Sequence, residues 1–68
     1  PDTVECLSNL ALCQLLAGRA HAGAETARRA LALDPADAIT RNVLRRCEDV
    51  AAGRRAAPAS LAALERGG

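Results

Sequence analysis

Residues 4–35 read VECLSNLALCQLLAGRAHAGAETARRALALDP, and the arrangement of the helices follows from them. Its first half, residues 4–17, carries apolar side chains at helical spacing and ends at Gly18, and glycine is common just past the end of a helix. Its second half, residues 20–33, is rich in alanine, which has the highest helix propensity. The pair Asp34-Pro35 follows, and the residue before a proline is pushed out of the α region. The stretch therefore predicts two helices folded back on each other at Gly18.

The two predicted helices differ in their surfaces. The first is apolar almost all round, which is typical of a helix that is buried on more than one side. Asp2 and Glu5 have the spacing of a capping box that would start it. The second helix presents Gly23, Ala24 and Ala27 on one face, and such small side chains let two helix backbones approach closely. We therefore expect a tight antiparallel hairpin.

A third helix is predicted after the hairpin. Asp34 is its expected N-cap, with Pro35 in the first turn and Asp37 near the positive end of the helix dipole. A stripe of apolar side chains at helical spacing continues to Gly53, which ends the helix. The prediction is an all-α fold in which residues 2–53 form one helical module.

The remaining residues, 54–68, are predicted to be a linker followed by a short helix or a disordered tail. Pro58 can open such a helix, which would carry Leu61 and Leu64 and close at Gly67-Gly68. This short helix would act as a weakly docked cap.

Composition supports the helical class and limits the core. The chain has 68 residues, of which 17 are alanine and ten are leucine, and it has no aromatic residue and no methionine. Strand-forming residues are therefore scarce. Because so few large apolar side chains are available, we expect the fold to need a neighbour, either a second copy or a longer parent chain.

Charge and cysteine content narrow the range of partners. The net charge is +1, so no bulk electrostatic attraction to nucleic acid or membrane is expected. The basic cluster consists of Arg41, Arg45 and Arg46 with Arg54 and Arg55, and it has no aromatic residues to stack on bases. We therefore expect a solvated helix face, or a rim of salt bridges to an acidic partner. Three widely spaced cysteines without a secretory signal fit a reducing cytoplasm.

No candidate chemistry emerges from the reactive side chains. Cys6 and Cys13 lie two helical turns apart and, with His21 and Cys47, could in principle offer four zinc ligands. The paired spacings of zinc sites are missing, and a free cysteine is commonly a small buried apolar residue. We therefore expect no metal, no cofactor and no catalytic site, with His21 exposed on the surface.

The spacing of these features resembles the tetratricopeptide repeat, a helix-turn-helix unit of about 34 residues. The similarity rests on Leu7, Leu10-Ala11, Gly18 at the turn and the closing run Ala-Leu-Ala-Leu-Asp-Pro at residues 30–35. Residues 4–37 would be one repeat and residues 38–53 the first helix of another. Every aromatic residue of the family pattern is replaced, so the resemblance implies shallower packing.

In this family the first helices of successive repeats line a concave groove that holds peptides or partner helices. The resemblance therefore implies a partner-binding surface made of Glu5, Ser8, Asn9, Leu12, Leu15, Leu16, Ile39, Asn42, Val43 and Arg46. Leu12, Leu15 and Leu16 could either belong to this contact surface or face the third helix. Asn9 falls where chaperone-binding members hold a peptide carboxylate, but Ile39 and Val43 stand where those members carry basic residues.

The resulting functional expectation is a non-catalytic scaffold or docking module for a protein or peptide partner. Self-association is a second way to bury the apolar surface of the first helix. The alternative function is that of a helical segment within a larger multidomain enzyme, where it would position the catalytic domain of that enzyme.

Overall fold

The computed structural model describes residues 3–56, and these residues form three α-helices without a strand. The helices are α1, Val4–Leu16, α2, Ala20–Leu33, and α3, Ala38–Ala51. The prediction of an all-α fold, with a helical hairpin and a third packed helix, is confirmed. The predicted short C-terminal helix with Leu61 and Leu64 lies outside the described residues.

Glycines end α1 and α3 in the same way. Gly18 and Gly53 adopt the left-handed conformation, with φ of 81° and 79°. After α1, the Gly18 amide donates to the Leu15 carbonyl and the Arg19 amide donates to the Gln14 carbonyl. The corresponding pair of hydrogen bonds follows α3. This arrangement is the Schellman motif, which satisfies carbonyls left free at a helix end.

The structure corrects the predicted start of α1. Its N-cap is Thr3, whose hydroxyl oxygen accepts a hydrogen bond from the Cys6 amide at 3.1 Å. The capping box predicted for Asp2 and Glu5 is wrong, because the helix begins one residue later. A capping box on Thr3 would need a carboxylate three residues on, and Cys6 stands there.

The predicted N-cap of α3 is also wrong. Asp34 is instead the C-cap of α2, and its carboxylate accepts from the Ala36 amide at 3.1 Å, which closes a tight turn around Pro35. The N-cap of α3 is Asp37, which accepts from the Thr40 amide at 3.1 Å and from the Thr40 hydroxyl. The third helix therefore begins only after the turn is complete.

Helix α2 lies at the centre and packs against both neighbours, while α1 and α3 contact each other less. The core is small and rich in alanine, with members from all three helices: Ala11, Leu15, Ala20, Ala24, Ala27, Val43 and Cys47. The close approach expected from the small residues of α2 occurs at Gly23. A Cβ atom there would lie 2.9 Å from the Ala11 carbonyl oxygen and 2.9 Å from the Cys47 Sγ.

One polar contact ties the hairpin together beside this core. The Thr26 hydroxyl of α2 donates to the Gln14 side-chain oxygen of α1 at 2.7 Å. Thr26 is buried, so the bond satisfies a hydroxyl that water cannot reach.

Because α2 runs antiparallel to each neighbour, α1 and α3 run in the same direction and their starts lie at the same end of the molecule.

Candidate functional site

A groove of about 380 Å³ lies where the first turns of α1 and α3 meet the turn between α2 and α3. It is formed by three short segments of chain, and its lining residues are Val4, Glu5, Ser8, Asn9, Asp34, Asp37 and Ile39. We call it the N-terminal groove. Its walls come from residues far apart in sequence, which only the packing of α1 and α3 in the same direction brings together.

The side chain of Ile39 is the main apolar feature of the N-terminal groove. It is 69 % exposed, the largest exposed fraction among the large apolar side chains of residues 3–56. Asp37 caps α3 two residues earlier and thereby fixes where Ile39 emerges from the first turn. On the opposite wall, Asn9 is exposed and Ser8 is buried at the base of α1. The groove therefore offers an apolar contact next to polar groups.

The N-terminal groove unites four of the ten side chains predicted to bind a partner, namely Glu5, Ser8, Asn9 and Ile39. Two others belong to the core, because Leu15 is fully buried and Val43 is 7 % exposed. The reading in which Leu15 packs inside the module, rather than on a contact surface, is therefore the one that the structure favours. The low exposure of Leu15 and Val43 leaves little of either side chain for a partner to contact.

The other four predicted residues lie outside the N-terminal groove. Leu12, Leu16 and Arg46 are half-buried. Asn42 is exposed in a shallow depression with Ala38, Arg41 and Arg45, where its side-chain oxygen accepts a hydrogen bond from Arg45 at 3.1 Å.

Sequence reasoning missed three lining residues of the N-terminal groove, namely Val4, Asp34 and Asp37. The sequence interpretation assigns Asp34 only to a helix N-cap and Asp37 only to the positive end of a helix dipole. The sequence does contain a signal for the two aspartates. They lie in the turn before α3, and because α3 runs alongside α1 in the same direction, this turn must lie close to the first turn of α1. Combining the predicted topology with the cap positions could have placed them there.

A second and larger groove, of about 580 Å³, lies between α2 and the end of α3. Among its described lining residues the apolar ones are all alanines, and the charged ones are of both signs. Two of them, Arg28 and Glu48, are paired across it at 3.1 Å. His21 is exposed at its edge. None of its described lining residues has a large apolar side chain to anchor a ligand, so this groove is the weaker candidate.

The thiols differ in their surroundings. Cys6 and Cys13 are exposed and Cys47 is buried. Burial raises the pKa of the Cys47 thiol above its ordinary value of 9.0, and the negative charge of Glu48 raises it further. A raised pKa keeps the thiol protonated and unreactive at neutral pH. Cys47 is therefore a packing residue.

Within residues 3–56, no group of three or more His, Cys, Asp or Glu side chains is arranged to hold a metal ion. None of the three helices α1 to α3 is long and apolar enough to cross a membrane. Comparison with protein-family models, with characterised proteins and with solved structures finds no significant match to this chain.

Proposed function

We propose that this chain is a non-catalytic protein-interaction module that binds a peptide or helix of another protein in the N-terminal groove. The observation that carries the proposal is Ile39, which stands 69 % exposed in a groove that it lines together with Val4 and with polar and acidic side chains. Covering a large aliphatic side chain contributes about 1.5–3 kcal/mol. A partner that buries Ile39 gains this free energy, which the isolated module does not use.

The architecture supports a binding role. Short, hydrogen-bonded caps hold the first turns of α1 and α3, so the groove is largely formed before a partner arrives. Pre-formed sites lose less conformational entropy on binding. The resemblance to tetratricopeptide repeats points the same way, since it assigns partner binding to the helices that correspond to α1 and α3. The proposal includes a cytoplasmic location, on the sequence argument from the cysteines.

A peptide-display selection tests this function. Random twelve-residue peptides are selected on the wild-type chain and then measured on two variants, Ile39→Gln and Leu10→Gln. Both positions are exposed, at 69 % and 46 %, but only Ile39 lines the groove. We expect Ile39→Gln to weaken the selected peptides about tenfold or more, as loss of a buried aliphatic contact implies.

The matched variant Leu10→Gln makes the selection decisive. It removes an apolar side chain of similar size from α1 at a position outside the groove, so the selected peptides should keep their affinity for it. Circular dichroism first establishes that both variants retain wild-type helicity. Peptides that lose equal affinity for both variants, or a selection that yields no peptide dependent on Ile39, would contradict the proposed function.

A further inference from the structure

The charges around the N-terminal groove are of one sign. All three ionisable residues among its described lining residues are acidic, namely Glu5, Asp34 and Asp37. The whole chain carries a net charge of +1, so this local excess of negative charge opposes the overall balance. The ion pairs seen within residues 3–56 lie elsewhere and use Glu48 and Asp49.

Two of these carboxylates are fixed in place by backbone amides. Asp34 accepts from the Ala36 amide through Oδ1, and Asp37 accepts from the Thr40 amide through Oδ2. A carboxylate has two oxygens and about four acceptor sites, so these bonds orient each group without using its full capacity. The positions of the charges are therefore set before any ligand binds.

Helix ends offset only part of this charge. The N-termini of α1 and α3 both border the groove, and each is equivalent to about half a positive charge. Together they offset about one of the three negative charges. Among the described residues that line the groove, negative charge therefore exceeds positive charge beside the apolar side chains of Val4 and Ile39. Such a surface repels phosphate groups, so nucleic acid and anionic lipid do not fit it.

We infer that the N-terminal groove takes a basic segment of a partner protein, in which an apolar side chain adjoins one or two arginine or lysine residues. The apolar side chain would cover Ile39, and the cations would pair with Glu5, Asp34 and Asp37. This inference rests on the proposed function and names the chemistry of its partner. Arginine suits the site because its planar fork can bond a fixed carboxylate through two N–H groups.

Two exposed arginines of a second copy, Arg41 and Arg45, match this groove less well. Arg41 and Arg45 lie on the exposed face of α3 beside Ala38 and Asn42, without a large apolar side chain in that depression. They could satisfy the carboxylates but would leave Ile39 uncovered. An external segment with both kinds of side chain meets both requirements.

The direct test is isothermal titration of the full chain with two synthetic peptides. The probe is a capped twelve-residue peptide with two Arg-Leu pairs separated by alanines, and its twin carries neutral citrulline in place of each arginine. We expect the arginine peptide to bind about tenfold or more tightly than its twin, because two exposed ion pairs are lost together. Its affinity should fall as the salt concentration rises.

Protein variants locate the effect. The triple variant Glu5→Gln, Asp34→Asn and Asp37→Asn removes the three charges, while asparagine keeps a side-chain oxygen for capping. The control triple Glu25→Gln, Glu48→Gln and Asp49→Asn removes the same charge outside the groove. We expect the first triple to weaken the arginine peptide about tenfold and the control triple to weaken it less than about threefold. Amide shifts in heteronuclear NMR spectra should centre on Glu5, Asn9 and Ile39.

Several results would overturn the inference. If the arginine peptide and its citrulline twin bind the wild-type chain equally, the inference is overturned. This comparison needs no variant, so it holds even if a triple variant fails to fold. Equal weakening by both triples would indicate unspecific attraction. Self-association of the chain that the groove triple abolishes would show that a second copy covers the site. Displayed peptides that depend on Ile39 but lack arginine and lysine would leave the proposed function standing and remove only its cationic partner.

Discussion

At the scale of single residues, Gly23 is the position where the packing has the least room. A methyl group there would meet the Ala11 carbonyl oxygen and the Cys47 sulfur, each at 2.9 Å. The backbone oxygen cannot rotate away, so the helices would have to separate. This close contact explains how a core made largely of alanine still excludes water.

We therefore expect Gly23→Ala to destabilise the chain, although alanine is the better helix former. The gain in helix propensity is about 1 kcal/mol, whereas overpacking a core typically costs about 1–3 kcal/mol. The net loss in the free energy of unfolding should be up to about 2 kcal/mol, as measured by urea denaturation. Adding Cys47→Ala should recover part of this loss, because it removes one of the two contacts.

Gly18→Ala is the matched control for that rescue. A Cβ atom on Gly18 meets nothing within 4 Å, but its φ of +81° is costly for alanine. We expect a loss of about 1–2 kcal/mol from backbone strain. Because this strain comes from the backbone conformation and not from a contact with Cys47, Cys47→Ala should not recover any of the loss. A rescue of equal size at both glycines would contradict the packing argument.

At the scale of helices, the sequence predicts where each of α1, α2 and α3 ends. It does not predict which residues cap the starts of α1 and α3. Gly18 and Gly53 can adopt the left-handed conformation that ends a helix, and Pro35 keeps the residue before it out of the α region. These effects are local, so the helix ends can be recognised without the fold. An N-cap is decided by competition between neighbouring polar residues. Asp34 and Asp37 are both good candidates, and only the hydrogen bond from the Thr40 amide to Asp37 decides between them.

The competition between Asp34 and Asp37 for the N-cap position gives a prediction for α3. Asp37→Ala removes the N-cap and also leaves the fully buried Thr40 hydroxyl without its acceptor. We expect a loss of about 2 kcal/mol in the free energy of unfolding, from the cap and the unpaired hydroxyl together. Asp37→Asn keeps an acceptor oxygen and should cost less than about 1 kcal/mol.

Urea denaturation of Asp37→Ala, Asp37→Asn and Asp34→Ala checks this assignment. Asp34 accepts one amide in an exposed turn, so Asp34→Ala should cost less than Asp37→Ala. If Asp34→Ala proved the more damaging change, α3 would begin at the residue that the sequence suggested.

At the scale of the whole molecule, the side of α1 that faces inward could not be predicted. This helix is apolar nearly all round, so its own pattern does not distinguish Leu15 from Leu12. The choice depends on where α3 packs, because Val43 and Cys47 complete the core around Leu15. The N-terminal groove has the same origin. Its residues were partly predictable on each helix, but their convergence depends on how three helices stack.

The stability of the whole molecule at alkaline pH provides a last test of this packing. The chain contains no lysine and no tyrosine, and arginine stays charged, so its cysteines are the only side chains that titrate between about pH 9 and 11. Burial raises the pKa of Cys47 in the folded chain above 9.0. Above that pH the unfolded thiol loses its proton while the folded one keeps it, so unfolding is favoured.

We therefore expect the free energy of unfolding to fall as pH rises above about 9, by at most about 1.4 kcal/mol per pH unit until the folded thiol also ionises. The measurement is urea denaturation at several pH values in a Cys6→Ser, Cys13→Ser background, where Cys47 is the remaining thiol. The same background with Cys47→Ala should be less stable near neutral pH but should lack this decline. Parallel pH dependence in the two proteins would mean that Cys47 is not held in the core that α1, α2 and α3 share.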